Sequence, residues 1–204
     1  MEMLNGKLNP EVYDTLYNFS DWFFQQDREL IHLHGKPDID EYHTSQEYLN
    51  IVDKETHEGF PEEVYGIDLA TTYEISEEYR EKLRQLDRVL NPIFASKFNA
   101  VKMYYPKSGF MGWHNNWNCP GYNILLSYTK TGNGFFRYRN PVTKEITTIN
   151  DTPGWSVKAG YYGDKHEDNK VYWHCARAYE ERLTLGYVIP DENMWQMALE
   201  DVIS

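Results

Sequence analysis

From Asn99 onward the chain is a succession of short aromatic and β-branched runs separated by turn-forming residues. Few architectures accept that pattern. Eight strand candidates follow one another at 99–105, 111–116, 121–129, 133–139, 144–149, 154–161, 170–177 and 181–189. Pro106-Lys107-Ser108-Gly109, Thr131-Gly132-Asn133-Gly134 and Asn140-Pro141-Val142-Thr143 punctuate them with residues that favour tight turns. Short strands at regular spacing predict a sandwich or barrel, and eight are enough for a jelly roll.

Before Asn99 the pattern is helical and polar. Asn9-Pro10-Glu11 reads as a cap with proline in the first helical position, and Val12, Leu16, Phe19, Trp22 and Phe23 follow at helical spacing. Ser76 caps a second helix, Glu77 and Glu78 suit the positive end of its dipole, and Asn91-Pro92 is expected to stop it. Its stripe of Tyr79, Leu83, Leu86 and Leu90 predicts a face packed on a sheet. The irregular, acidic stretch 32–70 is too long for an ordinary connection and is expected to pack as a lid or excursion. Trp195, Ala198, Leu199 and Val202 predict a last helix. The expected fold class is α+β, mainly β. A double-stranded β-helix (jelly-roll) core at 99–190 carries an N-terminal helical arm and lid at 1–98, packed on its sheet, and a C-terminal helix at 191–204.

A hydrophobic fraction of 41%, with 17 Tyr, 9 Phe and 6 Trp in 204 residues, excludes wholesale disorder. The balance of 20 Lys+Arg against 32 Asp+Glu, net −12, weighs against a grip on nucleic acid phosphates. Met1 to Gly6 shows no signal-peptide pattern, and no run approaches the ~18 apolar residues of a membrane span. Cys119 and Cys175 are too few for a disulfide scaffold and fit a reducing compartment, so a cytoplasmic protein is expected.

The chemistry concentrates in Gly112-Trp113-His114-Asn115-Asn116-Trp117. In an extended strand His114 and Asn116 share one face and Asn115 takes the other. His174 lies sixty positions later, in Val171-Tyr172-Trp173-His174-Cys175-Ala176-Arg177. Arg182 comes eight residues beyond it, with Thr184 two further on.

In order and spacing this arrangement resembles the iron(II)- and 2-oxoglutarate-dependent dioxygenases. Their pattern is His-x-Asp/Glu, a distal His, then an Arg with a Ser or Thr two positions later. The resemblance spans roughly 99–190, and Tyr104-Tyr105-Pro106-Lys107-Ser108-Gly109 is similar to the family's strand and turn ahead of the first ligand. It implies that His114, Asn116 and His174 hold iron(II), since two imidazoles and a carboxylate are the usual set that leaves positions open. It implies that Arg182 and Thr184 hold the distal carboxylate of 2-oxoglutarate, a planar guanidinium matching a carboxylate, and that Tyr105 hydrogen-bonds the same cosubstrate. The implied activity is hydroxylation of a small molecule or polypeptide, with release of succinate and carbon dioxide.

One position departs from the pattern. Asn116 stands where the family has Asp or Glu, and a neutral amide holds a divalent ion less tightly. Asn116 can ligate through its oxygen; two histidines and water can hold the iron, as in the halogenating branch; or the site can be degenerate. The first reading is preferred because Arg182, Thr184 and Tyr105 are all retained. The rival function is a catalytically silent jelly roll that binds a ligand or partner. An oxygenase acting on nucleic acid bases is disfavoured by the net charge.

Other motifs have plainer readings. His166-Glu167-Asp168 falls in a charged stretch, 163–170, that reads as a solvated loop. His32-Leu33-His34 is followed by no matching Gly and Glu spacing and is taken as chance. A zinc site using Cys119 and Cys175 is disfavoured, because His174 and Cys175 are adjacent and would point to opposite faces. Trp113, Trp117, Phe135, Phe136, Tyr138, Tyr161 and Tyr162 are expected mostly in the core, and Arg137 with Arg139 as a solvent-facing pair.

Overall fold

The Asn9 side chain accepts from the Glu11 N–H at 2.9 Å and Pro10 takes the first helical position, which starts α1 (Pro10–Gln25). The structure is a computed structural model and describes residues 1–27, 33–54, 59, 61–70, 75–96, 98–117 and 119–203. His32, and with it part of the excursion 32–70, lies outside the described residues. Ser76 caps α3 (Glu77–Ile93) through Tyr79 N–H, and Asp191 caps α4 (Glu192–Val202) through Met194 N–H. The expected stop at Asn91-Pro92 is overrun by one residue: Pro92 sits in the last turn, where it forgoes the bond its N–H would have made to the carbonyl four residues back, and the helix ends at Ile93.

The excursion is not irregular throughout. It forms α2 (Gln46–Lys54), whose buried Tyr48, Leu49 and Val52 make a short helical stripe, and two-residue strands β2 (Val64–Tyr65) and β3 (Ile67–Asp68). With β1 (Glu2–Met3) come eight longer strands: β4 (Phe98–Tyr105), β5 (Phe110–His114), β6 (Gly121–Thr129), β7 (Gly134–Arg139), β8 (Ile146–Asn150), β9 (Gly154–Tyr162), β10 (His174–Ala178) and β11 (Arg182–Ile189).

Among the described residues these make two antiparallel sheets. The larger has the order β1-β9-β6-β11-β4-β3 and the smaller β2-β5-β10-β7-β8. The protein is thus mixed in class and mainly β. Of the eight expected strands 121–129 alone keeps both limits, and two of the shifts have a visible local cause. The strand expected at 111–116 ends at His114, because the Asn115 side chain accepts from the Trp117 N–H at 2.8 Å and turns the chain, with Trp117 at φ 49°. The strand expected at 170–177 begins only at His174, after a turn closed by the Gly163 N–H on the Lys170 carbonyl at 3.0 Å.

Alternation along the larger sheet sorts its faces with an unusual result. Tyr104, Ile124, Leu126, Val157, Leu183, Leu185, Tyr187 and Ile189 point outward and meet α1, α3 and α4, which build the main apolar core outside the two sheets. On the same strands Asn123, Ser127, Thr129, Ser156, Lys158, Arg182 and Thr184 are all buried and polar. A buried polar face is the informative kind of burial.

The smaller sheet is backed by α2, with Tyr48, Leu49 and Val52 against Trp113, Phe135, Trp173 and Cys175. Arg137 and Arg139 are not a solvent-facing pair. Arg139 forks onto Asp53 at 2.8 and 2.9 Å, and Arg137 donates to the Thr44 carbonyl at 2.8 Å, so both tie the excursion to the sheet.

Candidate functional site

β10 lies between β5 and β7, and its register sets His174 directly opposite His114. The pairing with β5 then slips: Ala176 faces Met111, so β5 carries an extra residue around Gly112. A bulge of this kind re-aims the side chains beside it. Gly112 suits the place, since its N–H donates to the Glu63 carbonyl at 2.9 Å and an added Cβ would lie 3.0 Å from that oxygen.

The two imidazole rings come within 4.1 Å, centroid to centroid. Each is oriented by the same device. Nδ1 of His114 is 2.8 Å from the Gly112 carbonyl, and Nδ1 of His174 is 2.9 Å from the Tyr172 carbonyl. A carbonyl only accepts, so Nδ1 carries the proton in each neutral ring and the lone pair resides on Nε2. Burial lowers the pKa of His174 to about 4, which keeps that ring neutral at ordinary pH. His174 also stacks on Tyr162 of the larger sheet, 4.8 Å away and 8° from parallel, so it points into the space between the sheets. Phe136, Leu125 and Tyr162 form an apolar wall there.

Asn116 is placed differently. It lies two residues past the end of β5, half-buried, with its backbone carbonyl accepting from the Cys119 N–H at 2.9 Å. Strand alternation therefore does not assign its side chain to the face of His114. Among the described residues no group of three or more His, Cys, Asp or Glu side chains could hold a metal ion. Cys175 packs with Trp113 and Leu49 on the far side of the smaller sheet, where burial pushes its thiol well up, and Cys119 is exposed. His166 is exposed in the 163–170 turn.

Arg182, Thr184 and Tyr105 do come together. Arg182 is fully buried and pairs in register with Tyr105 of β4, its guanidinium carbon 5.5 Å from that ring. Nη1 of Arg182 donates to Thr184 Oγ1 at 2.6 Å and Nη2 to Ser127 Oγ at 3.1 Å. Both hydroxyls accept from Arg182, so each still has its own O–H to donate. The Tyr105 hydroxyl lies 3.8 Å from Met111 Sδ of the opposite sheet. Burial pushes the Tyr105 phenol well up, and it stays protonated.

Three further residues of this cluster have no role in the sequence pattern: Asp151, Lys158 and Ser127. Nε of Arg182 donates to Asp151 Oδ2 at 2.8 Å, and Lys158 Nζ meets Asp151 Oδ1 at 3.0 Å. Burial alone would raise the Asp151 carboxyl, but Arg182 and Lys158 together hold it below its ordinary value. Burial lowers Lys158 to about 8 against the opposing pull of Asp151. Lys158 does carry a signal. It interrupts Val157 and Ala159 in a strand candidate, on the face shared with Ser156, and a charge there needs a buried partner.

No protein-family model matches the sequence, and no curated protein matches it. Solved structures do. A prolyl-4-hydroxylase from Pseudomonas putida is 17% identical, the match covering 90% of this chain and 90% of that one at a TM-score of 0.43. A prolyl hydroxylase from Trichoplax adhaerens, in complex with a hypoxia inducible factor oxygen degradation domain peptide fragment, is 11% identical. That match covers 96% of this chain and 86% of the other at a TM-score of 0.46. Both likenesses are loose.

Proposed function

We propose that the protein is an iron(II)- and 2-oxoglutarate-dependent oxygenase that hydroxylates a small molecule or polypeptide. The observation that carries this reading is the pairing of His114 with His174 across β5 and β10, their rings 4.1 Å apart and each Nδ1 tied to a backbone carbonyl. The strand order supports a jelly roll: from β4 to β11, the first, eighth, third and sixth strands share one sheet and the second, seventh, fourth and fifth share the other.

The donors suit the group they would hold. Two imidazole nitrogens favour a first-row divalent metal, and Asn116, close behind His114, would add a neutral amide oxygen. With no carboxylate in the set, iron would be held less tightly than by the usual two histidines and an acid. Bound iron(II) and 2-oxoglutarate supply oxidative C–H chemistry, with succinate and carbon dioxide as products. The chain's own residues bind and orient. The Gly112 and Tyr172 carbonyls keep the imidazole protons on Nδ1. Arg182, with the Thr184 and Ser127 hydroxyls, offers charge-assisted hydrogen bonds to a carboxylate. Phe136, Leu125 and Tyr162 exclude water beside His174.

Anaerobic titration with iron(II) and 2-oxoglutarate tests the proposal. A weak visible charge-transfer band, followed by succinate on admitting air, is the expected result; neither band nor succinate would overturn it. The rival reading, a silent ligand-binding jelly roll, draws on one observation: Asp151 already occupies part of the Arg182 guanidinium.

A further inference from the structure

Arg182 presents two different edges. Along one, Nε meets Asp151 Oδ2 at 2.8 Å and Nη2 meets Asp151 Oδ1 at 3.4 Å, the side-on fork that a carboxylate prefers. Toward the other lie Thr184 and Ser127. Asp151 Oδ1 is shared with Lys158 Nζ at 3.0 Å, and Lys158 is completely buried. Two cations and one anion leave this interior cluster with one positive charge to spare. A surplus charge away from water is costly, and one entering anion would relieve it.

We propose that Asp151 is a built-in counter-anion for Arg182 that an entering carboxylate displaces from the Nε/Nη2 edge, with Lys158 taking Asp151 over. This rests on the reading that the interior receives 2-oxoglutarate. Asp151 Oδ1 is already on Lys158 Nζ, so the carboxylate keeps one cationic partner while its fork with Arg182 Nε and Nη2 opens. The backbone gives it a fixed base: the Asp151 N–H donates to the Gly134 carbonyl at 2.9 Å. Gly134 also leaves room for the side chain, because a Cβ there would lie 2.7 Å from Asp151 Oδ2. The affinity of the cluster is then set by competition between two carboxylates rather than by Arg182 alone. Its ligand class follows from the single surplus charge: a singly charged carboxylate arm, in preference to a phosphate dianion.

Titration calorimetry of 2-oxoglutarate into the manganese-loaded full-length protein tests this. Asp151→Asn is expected to bind 2-oxoglutarate at least tenfold more tightly than the wild type. Lys158→Met, which strands Asp151 on Arg182, is expected to bind it at least tenfold more weakly. Manganese affinity should stay the same in both. Should Asp151→Asn fail to fold with two unbalanced cations, the double variant Asp151→Asn/Lys158→Met restores the net charge and should still bind at least as tightly as the wild type. Unchanged or weaker binding by Asp151→Asn, or weaker binding by the double variant where the single one does not fold, with a wild type that does bind, overturns the exchange and leaves the oxygenase reading standing. If the wild type does not bind but Asp151→Asn does, the exchange is supported; if neither binds, both ideas fall.

Discussion

His114 and His174 are direct cross-strand partners, sixty residues apart in the chain and 4.1 Å apart between ring centroids. Replacing either by Ala should weaken cobalt(II) binding by more than the roughly 100-fold that loss of an outer-shell partner can cost, while far-UV circular dichroism stays unchanged. Cobalt absorbance reports the first quantity. Retention of binding by both variants would place the metal elsewhere.

The same burial makes His174 a source of pH-dependent stability. Its pKa falls from 6.5 to about 4 on folding, so the unfolded chain binds the extra proton between those values. Stability on this account is full above pH 6.5 and is lost as pH falls toward 4, by about 3 kcal/mol in total. Urea unfolding of the metal-free protein against His174→Gln should isolate the effect, because the carboxylates titrate in both. Parallel curves for the two proteins across that window would refute it.

Asn116→Asp should raise manganese(II) affinity by roughly tenfold or more, since an added anionic oxygen strengthens a site of two neutral nitrogens. Equilibrium dialysis is sufficient to measure it. No gain would mean that the turn after β5 keeps this side chain away from the imidazoles.

How α2 is held on the smaller sheet can be separated into its parts. Leu49 is fully buried against the sheet, whereas Asp53 is partly exposed in its ion pair with Arg139. Leu49→Ala should cost about 2–5 kcal/mol. Asp53→Asn should cost no more than about 1 kcal/mol and lose its effect in high salt. Comparable costs in chemical denaturation would show that charge, not packing, fixes the helix.

The strand pattern is legible because antiparallel strands announce themselves twice, by alternation and by their turns. The run 121–129 has the same limits in sequence and structure, and 154–161 falls one residue short. The local signals of Asn9 and Ser76 are equally readable. What escapes is set by distant contacts. The nine residues of α2 have a local cap, the Ser45 hydroxyl accepting from the Tyr48 N–H at 3.1 Å, but so short a helix is held by its packing on Trp113 and Trp173, which lie far along the chain. Asp151 reads as part of a turn before Pro153 and Gly154, and nothing local shows that its carboxyl meets Arg182 thirty-one residues later. The end of β5 is hidden by one Asx turn at Asn115, a feature a strand pattern overrides until the backbone is seen.

Val64 to Asp68 pairs with β5 through β2 and with β4 through β3, with only Gly66 between the two short strands. One stretch of backbone is therefore stitched to both layers. Along that border the layers cannot part without tearing ladder bonds on one side or the other, so any breathing that widens the gap between them must pivot about this clasp.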